Sequence, residues 1–131
     1  KGHGARRRML LRVPAPFHCE LMQPAAAVMA EALSHVAISR PAMPLVSNVR
    51  AVAISDPATI RNLLVEQVTG PVRWRESVQF LAAEGVDEIW EIGAGKALSG
   101  MIRRIDKAIA TRAVGTPDDV MATIEHISKD L

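Results

Sequence analysis

Between residues 19 and 34, Leu21, Ala25, Val28 and Ala32 recur at three- and four-residue spacings, with Met22, Met29 and Leu33 beside them. That spacing draws one apolar stripe along a helix and predicts a helix over 19–34. The run before it, residues 7–13, carries Met9, Leu10, Leu11 and Val13 and predicts a strand. Pro14 and Pro16 stop it, because neither can donate to a ladder. Pro41 and Pro44 bracket a turn, and PLVSNV (44–49) reads as a buried strand. Asp56-Pro57 has the form of a helix start, an aspartate cap followed by a proline in the first position. Ile60, Leu63, Leu64 and Val68 form that helix's apolar face, and Gly70-Pro71 ends it. A further helix runs from Trp74 to Glu84, with Trp74, Val78 and Leu81 on one side and Gly85 closing it. EIWEIG (88–93) reads as a strand, and the loop Gly93-Ala94-Gly95 follows. A helix then takes up Leu98, Met101, Ile102, Ile105 and Ile109, and a short strand lies at 111–115. Thr116-Pro117-Asp118-Asp119 opens a last helix through Val120, Ile124 and Ile127. Strands alternating with helices predict α/β layers around a mainly parallel sheet.

Composition narrows the class. The 131 residues suit one domain, and 49% hydrophobic with 23% charged residues describe a globular chain. Aromatics are only 3%, with no tyrosine, so Leu, Ile, Val, Met and Ala must build the core. That scarcity argues against nucleic acid as a partner, since single strands are held by stacking on aromatic rings. The single cysteine, Cys19, excludes an internal disulfide and fits a reducing, cytoplasmic compartment. No apolar run reaches the roughly 18 residues of a membrane span. The net charge is +2, with Arg6, Arg7, Arg8 and Arg12 crowded at the start and Arg103, Arg104 and Lys107 late. A solvated surface is the plain reading of each cluster, and a phosphate-rich partner the sharper one. The chain shows no secretory signal and does not begin with Met, the expectation for a fragment or a processed chain.

EIGAGKALSG (91–100) joins a strand, a glycine loop with a lysine and a helix, the outline of a phosphate cradle. The details differ. A Walker A loop places glycine where Trp90 stands and Ser or Thr where Ala97 stands. A dinucleotide fingerprint needs its third glycine at Leu98. A tight strand-to-helix turn explains the segment better. Cys19, beside a helix start, has the position of an activated thiol, but most single cysteines are small packing residues. His3, His35 and His126 read as surface or capping residues. His18 differs: the prolines restrict the backbone that delivers it to the mouth of a helix. Structural and catalytic roles both fit it at this point.

Taken together, APFHCELM (15–22), PLVSNV (44–49) and LLVEQVTGPVRWRESVQFLAAEGVDEIWEIGAGKALSGMIRRI (63–105) resemble the malonyl-CoA:acyl-carrier-protein transacylase family, from about residue 6 to the end. The resemblance implies an α/β-hydrolase-like acyltransferase core with an inserted ferredoxin-like subdomain. Residues 1–13 would be the end of that subdomain and residues 14–131 the C-terminal part of the core. It implies that a serine in a G-H-S-x-G elbow accepts malonyl from CoA and passes it to the phosphopantetheine thiol of acyl carrier protein, in fatty acid biosynthesis and without a cofactor or metal. His18 takes the place of the general-base histidine. Gln67 matches the glutamine whose main-chain carbonyl supports it. Phe17 would wall the acyl pocket: in related polyketide synthase domains, Phe before this histidine goes with malonyl and Ser with methylmalonyl.

The chain departs from the family in two respects that matter. It has no G-H-S-x-G, its one Gly-His being Gly2-His3 with Gly4 after it. The segment that carries the family's carboxylate-binding arginine is also missing. The expectation is therefore a C-terminal fragment that supplies the base and needs the missing N-terminal part of the same enzyme. Its partners would be acyl carrier protein and malonyl-CoA, in the bacterial cytoplasm or an organelle, with no nucleic acid and no membrane. The competing readings are an inactive module that binds CoA or carrier protein or pairs with another polypeptide supplying the serine, and an α/β domain with no catalysis.

Overall fold

The computed structural model describes residues 15–129. The strand expected at 7–13, the boundary after residue 13, His3 and the first arginine cluster lie outside them. A 3₁₀ turn, Glu20–Met22, leads into α1, Gln23–Ser34. β1 (Leu45–Val46) and β2 (Ala53–Ile54) form an antiparallel hairpin. Next come α2 (Pro57–Thr69), α3 (Trp74–Ala83), β3 (Glu88–Ile92), α4 (Ala97–Ile105), β4 (Ala110–Val114) and α5 (Pro117–Ile127). β3 and β4 run parallel with α4 as the crossover, a βαβ unit.

Local chemistry sets these boundaries. The Asp56 carboxylate accepts the Thr59 N–H at 2.7 Å and caps α2. Thr116 and Asp119 form a reciprocal capping box at α5. At the end of α3, Gly85 and Val86 donate to the Ala82 and Leu81 carbonyls, a Schellman closure. The core centres on Val78, Ile102 and Ile109, with Trp74, Ala82, Ile89 and Ile105 packed around it. A second packing group brings α1 against α2, with Ala26, Ile60 and Leu63 buried.

Four expectations need correction. PLVSNV is not a buried strand of a parallel sheet: only Leu45 and Val46 pair, in a hairpin, and Leu45 is exposed. The reason is the turn that follows, where Ser47 N–H donates to Val52 O and Ala51 N–H to Ser47 O. Ile109 is not in the helix with Ile105, because α4 ends at Ile105, with Asp106 as its extended cap, and Ile109 reaches the core from the connection to β4. Pro24 shifts the start of α1 to Gln23, since proline is accommodated only in a helix's first turn. Finally, the apolar stripe of α1 is largely open: Leu21 is 74% and Val28 71% exposed. Val120, Ile124 and Ile127 on α5 are exposed as well, and so are Leu98 and Met101 on α4. Periodicity assigned these faces to a core that the described residues do not cover.

Candidate active site

His18 stands between a short turn and a helix. The Phe17 N–H donates to the Ala15 carbonyl at 3.0 Å, closing a three-residue turn about Pro16. Over residues 15–17 the lead-in to His18 is therefore bent, where prolines suggest extended backbone. His18 itself has φ 56°, in the left-handed region that non-glycine residues rarely occupy. Such a conformation costs about 1–3 kcal/mol and persists where surrounding contacts hold it. The holding contact is plain: His18 Nδ1 lies 2.7 Å from the main-chain oxygen of Gln67. A carbonyl oxygen only accepts, so Nδ1 carries a proton, and in the neutral ring Nε2 keeps a free lone pair. The ring is exposed, so Nε2 is open to a reacting group.

The sequence around Gln67 leaves its carbonyl available. Within a helix that oxygen would be taken by the N–H four residues on. The residue there is Pro71, which has none. Gly70 is extended and turns the chain out of α2, while its own N–H goes to Glu66 O at 2.9 Å. A Cβ on Gly70 would meet Glu66 O at 3.0 Å and Val49 Cγ1 at 3.1 Å, so the exit is tight. The side-chain oxygen of Gln67 accepts from Asn48 Nδ2 at 3.1 Å. Asn48 and Gln67 share the rim of a cleft between β1 and α2, floored by Val46, Ile60, Leu63 and Leu64. Asn48 is the residue that reading PLVSNV as a strand concealed. Asparagine is depleted in strands and frequent in turns, and that signal would have found it.

The other sequence candidates fall elsewhere. Phe17 is beside His18 in sequence and 56% exposed. Cys19 is half-buried, and its thiol donates to Pro16 O at 3.1 Å, back into its own turn. His35 caps α1 and pairs with Glu31 at 3.0 Å, while His126 faces Glu88. Gly93 and Gly95 take positive φ in the loop before α4, as the tight-turn reading requires. The amides at the start of that helix are engaged: Glu91 accepts from Leu98 N, Ser99 N and the Ser99 hydroxyl at 2.7–3.0 Å. A carboxylate thus sits where a phosphate would. The Ser99 hydroxyl and amide hold the Glu91 carboxyl below the usual carboxylate range. Among the described residues no cluster of His, Cys, Asp or Glu could hold a metal ion, and no helix is long and apolar enough to cross a membrane.

No protein-family model matches the chain. The malonyl CoA-acyl carrier protein transacylase of Salmonella typhimurium is 40% identical over 124 residues, 95% of this chain and 40% of that protein. The crystal structure of an acyl-carrier-protein-S-malonyltransferase from Bartonella henselae superposes with a TM-score of 0.87 at 48% identity, covering 95% of this chain and 40% of the other. A type II PKS acyl-carrier protein in complex with its malonyl-transacylase gives a TM-score of 0.85 at 36% identity, again over 95% of this chain and 40% of the other. The chain therefore spans about two-fifths of the length of these relatives. Its α/β architecture is theirs over that span, and by sequence and fold together these residues are similar to malonyl CoA-acyl carrier protein transacylases.

Proposed function

We propose that this chain is the base-bearing part of a malonyl-CoA:acyl-carrier-protein transacylase of fatty acid biosynthesis. The observation that carries this reading is the His18 Nδ1 to Gln67 carbonyl contact of 2.7 Å, which leaves Nε2 free to take a proton. A serine from outside these 131 residues attacks the malonyl thioester while His18 Nε2 accepts its proton. The C–S bond breaks, and CoA leaves as the thiol with that proton. In the second half His18 takes the proton of the carrier protein's phosphopantetheine thiol. The sulfur attacks the acyl-serine, and the serine recovers its proton as it departs. Nothing in this chemistry calls for a metal or a redox cofactor. The partner is acyl carrier protein, as in the relative whose solved complex contains one, and the compartment is the cytoplasm.

The test is malonyl-serine formation in the full-length enzyme, followed by mass spectrometry after rapid mixing with malonyl-CoA. His18→Ala is expected to slow acylation by roughly 10²–10⁴-fold, the usual contribution of positioned proton transfer. Acylation at the unsubstituted rate would end the reading.

A further inference from the structure

Gln67 is engaged at both ends of the residue. Its main-chain oxygen meets His18 Nδ1, and its side-chain oxygen meets Asn48 Nδ2. Asn48 lies in the turn of the β1–β2 hairpin, and that turn grips the exit of α2 at further points. The Asn48 carbonyl accepts the Arg73 N–H at 2.8 Å, and the Arg50 carbonyl accepts Arg73 Nη1 at 3.3 Å. Val49 packs against Gly70, the residue on which α2 ends.

This grip matters because of where the accepting carbonyl sits. Gln67 is in the last turn of α2, where carbonyls lack helical partners and the backbone frays most easily. Pro71 withholds the N–H that would otherwise fix the direction of this one. A tie on the Gln67 side chain restrains the same residue from the other side. We infer that Asn48 is a positioning residue: by holding the Gln67 amide to the hairpin turn, it keeps the Gln67 carbonyl aimed at His18 Nδ1. The inference rests on His18 being the base and adds a determinant that lies 30 residues away in sequence, in another element.

The experiment uses the full-length enzyme and reads kcat and KM for malonyl transfer from CoA to carrier protein. Asn48→Leu keeps the size and removes the hydrogen bond. It is expected to lower kcat about three- to tenfold, the range of one net hydrogen bond, with KM for malonyl-CoA unchanged. Asn48→Asp is expected to recover most of the loss, because the Gln67 amide can turn over and donate to a carboxylate. Gln67→Met breaks the same tie from the α2 side and leaves the main-chain carbonyl in place. The double variant should be no slower than the slower single one, since both remove one interaction. Wild-type kcat in Asn48→Leu, losses that multiply in the double variant, or an Asn48→Asp enzyme as slow as Asn48→Leu would each overturn the inference. If Asn48→Leu does not fold, Gln67→Met and Asn48→Asp decide it. His18→Ala run alongside separates the two levels. Full activity there removes the base itself, whereas an inactive His18→Ala with an unimpaired Asn48→Leu removes only the role of Asn48.

Discussion

The ring of His18 and the main-chain oxygen of Gln67 meet at 2.7 Å across 49 residues of sequence. The contact joins a residue with left-handed backbone to the last turn of a helix that ends at Gly70-Pro71. Each half is unusual for a local reason, and each supplies what the other lacks. The strained histidine gains an anchor, and the unpaired carbonyl gains a donor.

A main-chain acceptor survives side-chain substitution. Gln67→Ala in the full-length enzyme is therefore expected to lose only the Asn48 tie, about three- to tenfold in kcat. Rates for Gln67→Ala and His18→Ala measured side by side check this. A Gln67→Ala loss as deep as that of His18→Ala would put the role on the amide side chain instead.

Phe17 presents its ring to solvent in these 131 residues, 56% exposed, next to the histidine. If it walls an acyl pocket completed from outside the chain, its phenyl ring fills the room that an α-methyl needs. One methyl in a pocket is worth about 1–3 kcal/mol. Phe17→Ser should raise the methylmalonyl-to-malonyl ratio of kcat/KM severalfold, read by competition between the two CoA esters. An unchanged ratio in an active variant would make Phe17 a packing residue.

The 131 residues by themselves are expected to transfer no malonyl from CoA to carrier protein above a buffer control. They carry no G-H-S-x-G serine, and the Cys19 thiol is turned toward Pro16 O. Transfer by the purified chain would return attention to Cys19, and Cys19→Ser would then settle whether it is the nucleophile.

Glu91 gives a pH-dependent prediction. Its carboxyl is held below the ordinary glutamate value of 4.5 by the Ser99 hydroxyl and amide. A depressed folded pKa contributes stability that is present above the unfolded pKa and fades as pH falls through the folded one. Glu91→Gln should therefore lower the urea midpoint near neutral pH. The gap between the two proteins should narrow as pH drops below 4.5. Other capping carboxylates, among them Asp56 and Asp119, titrate in both proteins and cancel in the comparison. A gap that stays constant down to acid pH would show that the Glu91 charge is not what anchors α4.

The sequence by itself determined the elements whose ends carry their own chemistry. Asp56-Pro57, Thr116-Pro117 and Gly85 mark boundaries through hydrogen bonds made within a few residues, so local reading places α2, α3 and α5 well. β3 and β4 were legible because their apolar runs are bounded by turn residues. Resemblance to a family singled out His18 and Gln67, while residue types and spacing alone favoured a structural or capping role for His18 and did not mark Gln67. Only the tertiary structure decided the rest. PLVSNV could be a strand in any sheet until the turn at Ser47–Val52 folded it into a hairpin. The stripe on α1 has helical period whether or not anything covers it, and here most of it is open. The anchoring of the left-handed His18 and the link from Asn48 through Gln67 to the imidazole depend on segments far apart in the chain. No local pattern encodes such contacts, because the free energy that fixes them belongs to pairs that meet only after the helices have packed.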